Sequence, residues 1–144
     1  MFYIGFTTAD RVDDEGWRHA MGGVELGTSS DAFAADLHFW NTADYEAQWR
    51  EGVARLAAGH ASSALVASYR GPDGGFHSMW AMWRVGNIVF IQERRVVDDT
   101  IIASRASEQF YARVGDRRTR NEGGAPIREW AVPFADMLSF LADA

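Results

Sequence analysis

Cysteine is absent from the 144-residue chain, and so is lysine. Without a thiol there is no disulfide framework, no thiolate metal site and no cysteine nucleophile. Without lysine, each of the 14 basic residues is an arginine, a usage in which we read no function. Proline is scarce, with three in the chain, and no Pro/Gly-rich linker, internal repeat or low-complexity tract marks a boundary, so 1–144 reads as one domain. No apolar run reaches the ~18 residues needed to span a bilayer. The opening MFYIGFTTAD lacks a basic segment followed by an apolar one. The expectation is a soluble chain that stays in the cytoplasm and away from membranes. Positive charge is also in short supply: 20 acidic residues against 14 basic give a formal net charge of -6. Such a chain repels phosphate backbones, so nucleic acid is not an expected partner, and the one dense basic run, Arg113 to Arg120 (RVGDRRTR), reads as a solvated loop. The same acidity suits a basic protein partner through electrostatic steering.

Apolar and aromatic residues are plentiful, at 47% hydrophobic with six Trp, nine Phe and four Tyr. That excludes the composition of disorder, and a domain of this size buries roughly 70% of the surface its unfolded chain exposes. FYIGFT at 2–7 reads as an opening strand, ADRVDDEG as an acidic loop, and VELGTSSD as a short strand running into a turn. From Phe33 the alternation predicts a half-buried strand, with Phe33, Ala35, Leu37 and Phe39 on the core face and Ala34, Asp36, His38 and Trp40 on the other. Asn41 or Thr42 then caps a helix over about 43–58 and Gly59 ends it; Tyr45, Trp49, Val53, Leu56 and Ala57 form its apolar stripe. Gly52 in mid-helix costs about 1 kcal/mol relative to alanine and points to close packing. SSALVASYR, FHSMWAMWR and IVFIQERRVV read as an antiparallel meander turning at GPDGG and at Gly86-Asn87, with the middle strand covered on both faces. ASEQFYARV is open to a helical turn or an extended run. A hairpin around Gly123-Gly124 and a helix over about 133–142 close the chain. The expected class is α+β, an antiparallel sheet of about five to seven strands with two helices.

Few constellations carry chemistry. Asp36 and His38, at i and i+2 of one strand face, have a spacing that suits a metal or an oriented imidazole, but a metal centre needs three or four ligands, and His19, His60 and His77 stand alone. The simpler reading is a solvent-facing strand edge. Glu93 and Asp36 could pair as general acid and base, although a strand-end Glu beside Arg94 and Arg95 reads more simply as a surface ion pair. GTSSD lacks the Gly-x-Ser-x-Gly elbow, and no dinucleotide fingerprint, Walker loop or His-Glu-x-x-His is present. Trp40, Trp49, Trp80 and Trp83 fall on elements whose patterns already account for them as scaffold. Trp17, in DDEGWRHA beside Asp13, Asp14 and Glu15, has no such place; an aromatic flanked by acids in a polar loop is a candidate anchor for a basic partner, with a loop residue folded back over the sheet as the simpler alternative.

LHFWNTADYEAQWREGVARLAAG, SSALVASY, WAMWRVGNIVFIQE and TRNEGGAPIREWAVPFADMLSFL together resemble the immunity proteins of contact-dependent growth inhibition systems, over about residues 22–141. The resemblance rests on Trp40, Asp44, Tyr45, Glu46 and Trp49, on Trp83 and Gln92, and on Glu129 and Trp130. It implies a small cytoplasmic α+β protein, without catalysis, cofactor or metal, that binds and neutralises a cognate toxin domain such as a basic nuclease; a monomer is the expected form. Residues 98–118 depart from the family pattern, either as a seat of partner specificity or as an insertion, and Asp98 and Asp99 there join Asp13, Asp14, Glu15 and Trp17 of the acidic loop as the candidate partner-binding residues. The competing expectation is a small-ligand enzyme or sensor whose pocket is lined by Asp36, His38, His77 and Glu93, which requires those four side chains to converge.

Overall fold

A computed structural model of the chain describes residues 1–70, 76–96 and 108–143. Along it run β1 (Phe2–Phe6), β2 (Arg11–Val12), β3 (Arg18–Leu26), β4 (Ser29–Asp36), α1 (Thr42–Ala57), β5 (Ser62–Ser68), β6 (His77–Val85), β7 (Ile88–Val96), α2 (Glu108–Tyr111), β8 (Trp130–Pro133) and α3 (Phe134–Ala142). The class is α+β and the pairing is antiparallel throughout, as expected, but the strands divide into two four-stranded sheets instead of one. In the first, β3 carries β1 and β2 on one side and β4 on the other; the second runs β5-β6-β7-β8. No helix of the described residues is long and apolar enough to cross a membrane.

The meander β5-β6-β7 follows the pattern of the sequence. Gly86 takes φ +61° as the first of the two residues between paired Val85 and Ile88, where a type II′ turn wants glycine. In β6, Met79, Trp80, Met82 and Trp83 are all buried, so both faces of the central strand are covered. The GPDGG turn lies outside the described residues. In the first sheet β3 begins well before the expected VELG. Gly22 and Gly23 look like breakers in the sequence, yet Gly22 pairs with Phe33, whose ring lies over it and fills the place of its missing side chain.

Helix α1 starts at a capping box: Asn41 Oδ1 accepts from Asp44 N at 2.8 Å, and Asp44 Oδ2 accepts from Asn41 N at 3.0 Å. Its buried face is Tyr45, Gln48, Trp49, Gly52, Val53 and Leu56; Ala57, expected in the stripe, is exposed. This face seals the outer edge of β5. Gln48 donates to Ala64 O at 2.8 Å and accepts from Val66 N at 2.7 Å, while Trp49 Nε1 donates to Val66 O at 2.8 Å. The Gln48 side chain thus does for β5 what a neighbouring strand would do, satisfying backbone groups that burial would otherwise leave unpaired.

Of the ambiguous stretch, Glu108–Tyr111 is a helical turn and places Phe110 among Trp40, Tyr69 and His77. The loop that follows is moored to the second sheet. Trp83 Nε1 donates to Gly115 O at 2.9 Å, and fully buried Gln92 donates to Arg118 O at 2.7 Å and to Glu129 Oε2 at 2.8 Å. Arg117 forms a two-point ion pair with Glu129, at 2.6 and 2.9 Å, and holds that carboxyl below its usual range. The basic run is therefore partly built into the fold. The expected hairpin near Gly123-Gly124 is present as a single bridge, Arg120 to Pro126.

Candidate functional site

The stretch 9–16, expected as a loop, contains β2 at Arg11–Val12, and residues 13–17 make a tight turn between β2 and β3. One oxygen of Asp13 accepts from Glu15 N and Trp17 N, both at 2.9 Å, and Gly16 takes φ +82°. Asp13 is thereby committed in part to holding the turn. The carboxylates of Asp14 and Glu15 are exposed and make no hydrogen bond or ion pair among the described residues, so their charges face outward unneutralised.

Trp17 is half-buried, stacked on His19 at 4.3 Å between ring centroids, and its Nε1 donates to Asp36 Oδ2 at 2.9 Å. That bond corrects the expectation of a solvent-facing Asp36, which is only 4% exposed. Its Oδ1 accepts from His38 N at 2.8 Å and lies 3.1 Å from His38 Nδ1. Its own N–H donates to Ser68 Oγ at 3.1 Å, and its carbonyl accepts from Tyr45 Oη at 2.6 Å. Each polar group of Asp36 is engaged, which makes it a tether between the first sheet, α1 and β5 rather than a free base. Its bond to His38 N, two residues on, also curls the chain out of β4. The expected alternation therefore stops at Asp36: Phe39 is 43% exposed, against the core place assigned to it, and Trp40 is buried against Tyr45 and Tyr69.

Beside this tether lies an open groove of about 480 Å³ lined by Asp13, Glu15, Gly16, Trp17, His38 and Arg70. Three of the candidate partner-binding residues, Asp13, Glu15 and Trp17, thus come together on one surface, and Asp14 stands in the same turn. Arg70 was not singled out from sequence; it sits at the end of β5 and nothing local marks it. Asp98 and Asp99 lie outside the described residues.

The four-residue pocket does not form. Asp36 and His38 meet, but His77 is buried against the rings of Tyr69 and Phe110 with its Nδ1 accepting from Arg70 N at 3.0 Å. Glu93 is exposed on β7 opposite Trp80. Neither His77 nor Glu93 lines the groove beside His38. Among the described residues no group of three or more His, Asp or Glu is placed to hold a metal.

Beneath the groove, Tyr45 Oη also accepts from Tyr69 N at 2.9 Å. Burial pushes the Tyr45 phenol well above its usual range, and the Asp36 carboxylate adds to the effect. Tyr111 is raised too, by burial and by its bond to Glu51. The folded chain keeps these phenols neutral while the unfolded chain ionises them near pH ~10. Their contribution is thus complete below about pH 10 and is lost as pH rises through it toward the folded values. Thermal melts should show Tm falling above about pH 10. Tyr45→Phe should soften that fall and lower stability at neutral pH by about 2 kcal/mol, because it strands the Tyr69 amide.

A family model described as the CdiI N-terminal domain matches residues 35–140 of this sequence. Among solved structures, a chain of the CdiA-CT/CdiI toxin and immunity complex from Enterobacter cloacae has a TM-score of 0.86 at 20% identity, covering 99% of this chain and 97% of that one. At that identity the likeness is one of fold. No curated protein matches the sequence. The matched span begins at the end of β4, so the acidic turn precedes it while Asp36, His38 and the loop after α2 fall within it.

Proposed function

The chain belongs to the CdiI N-terminal domain family, and from that premise we propose that it is an immunity protein that binds a cognate toxin domain in the cytoplasm and neutralises it without catalysis. The family match over residues 35–140 carries this reading. The acidic turn supports a surface for it: Asp14 and Glu15 hold free charges beside half-buried Trp17, on a rigid base formed by the Asp36 tether. A partner with a basic face, as a nuclease active site has, would be steered there, and Trp17 and exposed Phe39 offer aromatic contact. Asp98 and Asp99 are proposed as further contacts. The protein acts as a monomer and needs no cofactor.

Co-expression with the toxin domain encoded beside it should restore growth, and the two chains should co-purify. The double change Asp14→Arg and Glu15→Arg should slow association and weaken Kd by about tenfold, more at low salt than at high. A neighbouring toxin that is neither neutralised nor bound sinks the immunity reading. Unchanged affinity in the charge-reversed protein removes the acidic turn from the interface.

A further inference from the structure

The loop after α2 frames a second groove, of about 340 Å³, to which the immunity reading assigns no role. Arg94 from β7 and Arg113, Arg118 and Arg120 from the loop line it, with Asp116 and Glu122 as its acidic residues. Among the described lining residues Arg94, Arg118 and Arg120 are set against Asp116 and Glu122, and Arg113 has an interaction of its own, so the lining is cationic within a chain of net charge -6.

Two of these charges, on Arg94 and Arg120, are held in place. Arg94 donates from Nη1 to Val114 O at 2.8 Å and from Nη2 to Gln92 Oε1 at 3.3 Å, with its guanidinium 4.9 Å from the centre of the Trp83 ring. Arg120 Nη1 donates to Gly124 O at 2.8 Å. All three of those acceptors are uncharged. Arg118 has an exposed side chain with no hydrogen bond or ion pair among the described residues. Burial, and after it the nearby Arg118 charge, hold Arg94 below the usual arginine range. Gly115, on the groove wall, has open space where a Cβ would stand, so a ligand can reach the backbone there.

We infer that this groove binds one phosphate group, as inorganic phosphate or as the phosphate of a mononucleotide. Guanidinium forks match the oxygens of a phosphate two at a time, and an anion suits a lining of net positive charge. A nucleic-acid strand is a poorer fit, because strand binding uses a basic track with stacking aromatics over about 4 or more nucleotides. Asp116 and Glu122 would instead meet the next phosphate of a strand.

The test is a titration of the full-length protein at low ionic strength with sodium phosphate, with adenosine monophosphate and with a ten-nucleotide single-stranded RNA, followed by backbone amide shifts. Phosphate and the mononucleotide should shift the Gly115 and Arg118 amides saturably; a tighter Kd for the nucleotide identifies it as the source, and equal values identify phosphate itself. Arg118→Gln with Arg120→Gln should weaken either by about tenfold or more while leaving the ligand-free Tm unchanged. Unsaturable shifts spread over all surface arginines, or unchanged affinity in the double variant, overturn the site. RNA binding tenfold tighter than the mononucleotide overturns the single-phosphate assignment. None of these outcomes depends on whether the toxin is bound.

Discussion

Gly52→Ala should lower stability by about 3 kcal/mol or more, as read from urea unfolding. Helix propensity alone forecasts the reverse, a gain of about 1 kcal/mol. The contact decides the sign. A Cβ at position 52 would overlap the Ala64 carbonyl oxygen and stand 3.1 Å from Leu65 Cδ2. The obstructing atom belongs to the backbone of β5, which is fixed on its other side by β6 and cannot step away. The helix would have to lift instead. Lifting it strains the Gln48 and Trp49 bonds to β5 and the 2.7 Å bond that Ser63 Oγ donates to Gly52 O. A variant more stable than the parent would show that the helix approaches the strand less closely than described.

The second large effect is expected at Asp36. Asp36→Ala leaves Trp17 Nε1 and the His38 amide without acceptors, for a loss of about 2–3 kcal/mol. It also frees the acidic turn from the sheet junction, so the affinity for a bound partner should fall along with stability. Asp36→Asn separates these contributions. Its amide oxygen can still serve His38 N, but its NH2 group then opposes the Trp17 donor, and about half the loss should remain. Denaturant unfolding of the three proteins, with near-ultraviolet circular dichroism to follow the Trp17 environment, reads both consequences. Equal stability of the Ala variant and the parent would mean that water replaces the carboxylate, and the tether would lose its structural role.

What could be read from the sequence was what local chemistry dictates. The helix cap at Asn41, the stripe of Tyr45, Trp49, Val53 and Leu56, and the Gly86-Asn87 turn each leave a mark within a few residues. The family residues also find roles, and the roles are architectural: Tyr45 and Trp49 pin α1, and Gln92 meets Glu129. The misreadings share a different cause. Asp36 looked exposed because its partners lie far along the chain, with Trp17 and Ser68 at separations of 19 and 32 residues. Alternation through Trp40 was extrapolated past the point where the Asp36 side chain bends the backbone. One sheet was expected because local patterns mark strands but not which strands pair. In the same way, the acid and aromatic character of residues 13–17 was legible, while the Arg70 and His38 walls of their groove were assembled by the fold.

The Gln48 side chain has one more consequence. Val66 N–H is shielded by an oxygen from α1 and not by a neighbouring strand. Its exchange with solvent is therefore governed by undocking of the helix, even though the residue itself is a sheet residue. Native-state hydrogen exchange at that one amide separates two kinds of opening in the molecule: the helix leaving, and the sheet coming apart.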